Sequence, residues 1–180
     1  EVNCEFNEVR TTIVIGKKSA LNLQYETIPP FVDLSLFPQP IFQPDSLLPS
    51  STLVVVPDNP SSTELQGALT VMTGLGSVTG GGLDVNLVAN SSLTPEMVGA
   101  NHLIFVGLAK NFQNLGVVDF PIQVSGNEIE LGQDKATDGV IEVARSPWSQ
   151  SAVVFYVGGN SEAGVAKAAQ AFSTGKFVAV

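Results

Sequence analysis

The hydrophobic pattern of residues 51–180 alternates between short apolar runs and longer stretches with helical spacing. Residues 53–56 form a continuous, mostly β-branched run, and residues 102–107 contain the apolar run Leu-Ile-Phe-Val. Such runs are typical of strands buried on both faces of a sheet. Between them, apolar residues recur at helical spacing from Leu65 to Leu75, which predicts an amphipathic helix.

Capping residues predict where these helices begin and end. Ser61 followed by Glu64 indicates a capping box at the start of the first long helix. Gly76 is placed to end that helix, Asn160 to cap the last helix and Gly175 to end it. A short helix is predicted to begin at residues 94–96, and another is predicted at 108–115. Further strands are predicted at residues 83–89, 122–124, 128–131, 140–144 and 152–157, of which the last two form an antiparallel hairpin.

The resulting fold class is α/β, a flavodoxin-like three-layer arrangement of a mixed sheet with helices on its faces. Residues 1–50 have a different sequence pattern from residues 51–180. They contain alternating strand-like runs at 12–15 and 21–25, then a proline-rich connector whose apolar side chains are expected to pack on a surface. Two regions are therefore predicted, residues 1–50 and the α/β domain at 51–180.

Composition excludes several classes of partner. The chain has 180 residues, of which 44% are hydrophobic, and its net charge is −9 with only eight basic residues. These basic residues do not cluster, so neither nucleic acid nor an anionic membrane face is an expected partner. No apolar run is long enough to span a bilayer. The lone Cys4 cannot form an internal disulfide.

The chain lacks a recognisable catalytic or metal-binding constellation. His102 is the only histidine, so a zinc site or catalytic triad has no partner histidine, and a structural role is expected. Serines do not occur in a Gly-x-Ser-x-Gly elbow. The neighbouring carboxylates, Glu128 with Glu130 and Asp134 with Asp138, are interpreted as solvated surface. No catalytic residue, metal or cofactor is predicted, and a binding or assembly module is favoured over an enzyme.

Four residues remain as candidate ligand contacts. Gly158, Gly159 and Asn160 lie between a predicted strand and helix, where backbone N–H groups can hold an anion or simply form a tight turn. Trp148 lies on a predicted loop, where its indole can stack on a sugar ring or a partner, or plug the core. The glycine-rich residues 74–82 follow a helix, the wrong polarity for a dinucleotide fingerprint.

The order and spacing of several segments resemble the B-subunit family of bacterial cellulose synthase. The resemblance covers most of residues 20–173, and none of its motifs is catalytic. The segments that carry it are residues 33–40, 53–57, 102–107, 138–140, 146–148, 157–160 and 164–171.

The resemblance implies a non-catalytic, extracytoplasmic scaffold, assembly or glucan-guiding module of cellulose synthesis and export. Family members alternate β-sandwich and flavodoxin-like domains, partner the catalytic synthase and end in a membrane anchor, which here is expected outside the chain. Residues 1–50 are then the remnant of a preceding sandwich domain plus its connector. Neither cyclic di-GMP nor flavin is expected. Other domains of the same protein and the glucan are the remaining implied partners.

The alternative hypothesis is a small-ligand or nucleotide-binding α/β domain. Such a domain would use the carboxyl ends of its strands, near Asp58, Gly107 and Gly158.

Overall fold

The computed structural model describes residues 16–18, 20, 26, 28–44, 46, 51–122, 124–125, 128–129 and 137–175. Within them the chain forms a five-stranded sheet, a two-stranded ladder and three α-helices. The strands are β1 (Ser51–Val56), β2 (Asp84–Ala89), β3 (His102–Leu108), β4 (Val124–Ser125), β5 (Glu128–Ile129), β6 (Gly139–Arg145) and β7 (Val153–Gly159). The helices are α1 (Ser62–Val78), α2 (Pro95–Ala100) and α3 (Glu162–Thr174).

The main sheet has the strand order β2-β1-β3-β7-β6. Its first four strands are parallel, and β6 pairs with β7 in an antiparallel hairpin, as predicted. Because these four strands run in the same direction, their starts lie at one edge of the sheet and their ends at the other. We call the end reached by Val56, Ala89, Leu108 and Gly159 the carboxyl edge. The opposite end, where Ser51, Asp84, His102 and Val153 begin their strands, is the amino edge. The predicted mixed α/β class is confirmed.

Hydrophobic side chains cover the sheet on both faces, because the central strands alternate their residues between two cores. One core lies under α1 and α3 and includes Val54, Ala68, Val71, Leu75, Ile104, Phe155, Val157, Ala169 and Phe172. The second lies under α2 and two 3₁₀ turns and includes Leu53, Val55, Leu103, Phe105, Phe112, Leu115, Phe120, Val154 and Tyr156. The sheet is therefore the middle of three layers.

Part of the proline-rich segment packs onto the helical face. Ile41 is fully buried there, and the Phe37 ring meets the Phe172 ring edge-on, with centroids 5.0 Å apart. The peptide bonds before Pro38 and Pro40 are cis. The predicted packing of the connector on a surface is confirmed for Ile41 and Phe37, whereas Phe31 and Leu36 stay exposed. The strands predicted at 12–15 and 21–25 lie outside the described residues, so the division at residue 50 and the sandwich remnant stay predictions.

Helix starts follow the sequence prediction more closely than helix stops. The capping box at Ser61 is present, and Gly175 ends α3 in the left-handed conformation with φ of 62°. The stop predicted at Gly76 is wrong, because α1 continues to Val78. Its C-cap is Thr79, whose N–H donates to the Leu75 carbonyl. The residues with positive φ, Gly80 and Gly81, follow only then.

Two other predicted boundaries are also corrected. Ser161, not Asn160, caps α3, since the Ser161 hydroxyl accepts from the Gly164 N–H. The predicted helix at 108–115 forms two 3₁₀ turns, Ala109–Asn111 and Gln113–Val117. Among the described residues, no helix is long and apolar enough to cross a membrane.

Candidate functional site

Glu64 is the most buried carboxylate at the carboxyl edge, with 1% of its surface exposed. It is the third residue of α1, and its Oε2 accepts from the Ser61 N–H at 2.8 Å in the capping box. Its Oε1 accepts from the Leu108 N–H at 2.9 Å and from the Asn111 side-chain amide at 2.8 Å. The carboxylate therefore ties the start of α1 to the end of β3, with both oxygens committed to structural hydrogen bonds.

Gly107 packs directly against the Glu64 carboxylate. Its φ is +150°, and a Cβ added there would lie 2.7 Å from Glu64 Oε1. The buried Tyr156 hydroxyl donates to the Gly107 carbonyl at 2.9 Å. Burial raises the pKa of Tyr156, so the phenol stays protonated at neutral pH. A glycine is required here for packing and backbone conformation.

Side-chain hydrogen bonds also join the other loops of the carboxyl edge. An Asp58 oxygen accepts from the Ser91 N–H at 2.7 Å, which links the loops after β1 and β2. The Asn114 amide donates to the Asn90 side-chain oxygen at 3.1 Å. In an open α/β sheet this edge is the usual place for ligand and catalytic groups. Here these polar groups hold the loops to one another.

Three of the four predicted ligand contacts lie at this edge. The Asn160 side chain bonds both backbone groups of Ile129, with an N–H to Oδ1 distance of 2.9 Å and an Nδ2 to carbonyl distance of 2.8 Å. Gly158 and Gly159 are buried, and a Cβ at Gly158 would collide with the Gly107 carbonyl oxygen. These contacts explain the residue types. Their role as ligand contacts stays a prediction.

The start of α3, a candidate anion site on sequence grounds, is occupied by protein groups. The Ser161 hydroxyl accepts from the Gly164 N–H at 3.2 Å. Glu162, in the first turn, accepts from the Thr63 hydroxyl at 3.1 Å. A carboxylate at this position already complements the helix dipole, which favours the tight-turn interpretation.

Glu142 is a second buried carboxyl, placed in the middle of β6. It is 4% exposed and lies opposite Tyr156 in the β6–β7 pairing. Its Oε1 accepts from the Ile122 N–H at 2.7 Å, and its Oε2 has no partner among the described groups. Burial raises the pKa of Glu142 to about 7. The side chain fastens the loop before β4 to the sheet.

A groove lies at the amino edge, at the opposite end of the sheet. It has a volume of about 500 Å³ and is lined by residues of the 28–46 segment together with Ser51, His102 and Ala152. Ser51 and His102 are the first residues of β1 and β3, so the strand starts form its floor. Arg145, at the end of β6, donates to the Pro30 carbonyl at 3.4 Å and helps to hold the segment in place.

His102 contributes a fixed polar group to this groove. Its Nδ1 accepts from the Val153 N–H at 3.1 Å. Burial lowers the pKa of His102 to about 4, so the ring is neutral at neutral pH. A neutral imidazole that accepts at Nδ1 carries its proton on Nε2. The structural role expected for His102 is thus present, and its remaining polar atom is a donor.

The structure separates Trp148 from the other predicted contacts. Trp148 lies on the loop between β6 and β7, at the amino edge, whereas Gly158, Gly159 and Asn160 lie at the far end of β7. The length of β7 puts roughly 20 Å between the two places. The indole is half-buried and packs against the core under α2, in agreement with the plugging alternative.

Sequence reasoning missed the groove and the buried carboxylates. Glu142 interrupts an otherwise apolar strand, and that interruption was a usable signal. Glu64 was identified only as a capping residue. The groove had no local signal, because residues 28–46 looked like a connector and their partners are distant in sequence.

Residues 33–179 match the family model described as cellulose synthase BcsB, first FD domain. A search of the curated proteins finds no match. Within the described part of the chain, no group of three or more His, Cys, Asp or Glu side chains is placed to hold a metal ion.

Proposed function

The chain belongs to the cellulose synthase BcsB family, and from this membership we propose that it is a non-catalytic scaffold and assembly domain of a BcsB-type accessory protein. The matched region covers the whole described sheet and its helices. The supported role is that of an accessory component associated with the catalytic synthase.

One structural observation carries the non-catalytic part of the proposal. Both oxygens of Glu64 accept hydrogen bonds from the protein itself, at 2.8 to 2.9 Å. Asp58 and Asn160 at the same edge are also bonded to backbone groups. A general acid or base needs a polar atom that can reach a substrate. These side chains instead stabilise the junctions between strands and helices.

The flavodoxin-like assignment is part of the proposal. The order β2-β1-β3 of the parallel strands, with helices on both faces, supports it. The antiparallel edge strand β6 departs from a fully parallel sheet. The layering supplies a rigid spacer, since both faces are packed.

The cellular location of the domain and its role along the path of the glucan are proposed from the family membership. We place the domain outside the cytoplasmic membrane, beside the catalytic synthase, in a protein anchored elsewhere in its chain. There it would keep neighbouring domains at a fixed distance and guide the emerging glucan.

Capture of the synthase tests this role. In a cellulose-producing bacterium, the tagged full-length protein that carries this domain should retain the catalytic synthase through detergent purification. A protein carrying an unrelated domain of similar size in place of residues 33–179 should retain less of it. Protease added to spheroplasts should digest the domain before lysis. Equal retention by both proteins, or digestion only after lysis, would contradict the proposal.

A further inference from the structure

The amino-edge groove contains three large apolar side chains that are exposed. Ile28 is 79% exposed, Phe31 69% and Leu36 46%, and all three line the same groove. Large apolar side chains gathered in one concave place are typical of binding surfaces. The groove volume of about 500 Å³ lies within the range of about 300–1,000 Å³ found for small-ligand clefts.

The polar groups of the groove are uncharged. The exposed amides of Gln39 and Gln43 offer both donors and acceptors, and the neutral His102 offers a donor. None of the described lining residues carries a charge at neutral pH, and the Arg145 guanidinium beside them already donates to the Pro30 carbonyl. An ionic ligand would need an opposite charge in the groove, and an anion would also meet the net charge of −9. A neutral ligand rich in hydroxyl groups fits this lining.

We propose that the amino-edge groove binds a neutral β-1,4-linked glucan chain. A sugar ring has apolar C–H faces, which suit Phe31, and a rim of hydroxyl groups, which suit the two amides and His102. The linkage comes from the family match, so this inference rests on the proposed function. The groove, not Trp148, is then the sugar contact of this domain.

Titration with cello-oligosaccharides tests the groove. The chain should bind cellohexaose in calorimetry or NMR titration, and bind maltohexaose more weakly because its α-linkages do not form a flat ribbon. Phe31→Ala should weaken cellohexaose binding about tenfold, and Gln43→Ala about threefold. Val117→Ala is the control, since Val117 is 64% exposed outside the groove, and it should bind as the unaltered chain does. All three variants should keep the unaltered melting temperature.

The alternative occupant is a protein segment, and a second measurement separates it. Phe31→Ala in the full-length protein should still retain the catalytic synthase. Loss of the synthase would identify the groove as a protein interface and overturn the inference. So would absent cellohexaose binding, unchanged binding by Phe31→Ala, or equal binding of maltohexaose. If the unaltered protein retains the synthase but does not bind cellohexaose, only the inference about the groove fails. If it does not retain the synthase, the proposed function fails whatever the sugar does.

Discussion

Single residues at the carboxyl edge show which contacts a local sequence pattern predicts and which it does not. The Ser61–Glu64 capping box is encoded within four residues, and the sequence predicts it. The second oxygen of Glu64 bonds Leu108, 44 residues away. No pattern of sequence spacing predicts the contact between Glu64 and Leu108. From the sequence, Gly107 was therefore only a strand end near which a ligand could bind. Its glycine is required because its φ is +150° and Glu64 occupies the side-chain position.

Glu142 should make stability depend on pH. The pKa of this carboxyl rises from its ordinary 4.5 to about 7 in the folded state. Folding therefore favours the protonated form. The carboxyl's stabilising contribution is full below about pH 4.5 and is lost as the pH rises through about 7. Glu142→Gln cannot ionise and still accepts from the Ile122 N–H, so it should be about 1–3 kcal/mol more stable than the unaltered chain at pH 8.

Urea unfolding at pH 5 and pH 8 measures this difference. The gap between Glu142→Gln and the unaltered chain should narrow towards pH 5. Glu128→Gln is the matched control, because Glu128 is an exposed strand carboxylate, and it should alter stability little at either pH. A variant less stable than the unaltered chain at pH 8 would show that Glu142 is needed in its charged form.

At the scale of elements, the chain encodes strands and helix starts more clearly than helix stops. Continuous apolar runs predict β1 and β3, and the spacing of two later runs predicts the hairpin of β6 and β7. The end of α1 was predicted at Gly76, whereas the helix continues to Val78. Glycine lowers helix propensity by only about 1 kcal/mol, and packing of α1 against the sheet and α3 extends the helix past it. The 3₁₀ turns after β3 gave no distinct pattern.

Two glycines of α1 should respond oppositely to alanine. A Cβ at Gly76 would meet nothing within 4 Å, whereas a Cβ at Gly74 would collide with the Ser173 backbone of α3. Gly76→Ala should raise the free energy of unfolding by about 0.5–1 kcal/mol through helix propensity. Gly74→Ala should lower it by about 1–3 kcal/mol, since the helices must move apart.

Denaturant titration of the two variants compares them within one helix. Each serves as the other's control, because both make the same chemical change in the last turns of α1. Equal effects would mean that the close approach of α1 and α3 at Gly74 does not hold in solution.

At the scale of the molecule, the α/β class and the mixed sheet followed from the sequence pattern, but the placement of sites did not. Trp148 and Gly158 were separate candidates whose relative position the sequence did not give, and they lie at opposite ends of β7. Residues 28–46 looked like a connector, and several of them line the groove. Both outcomes depend on which strand ends meet and on contacts across more than a hundred residues, such as that of Arg145 with Pro30, which periodicity does not contain.

The central claim is that the polar groups of the carboxyl edge stabilise the fold and do no chemistry on the glucan. Prolonged incubation of the purified chain with labelled cellohexaose, followed by chromatography of the products, tests it most directly. We predict that the length of the sugar stays unchanged. Shorter or longer products that form with the unaltered chain and disappear with Glu64→Gln would contradict the claim.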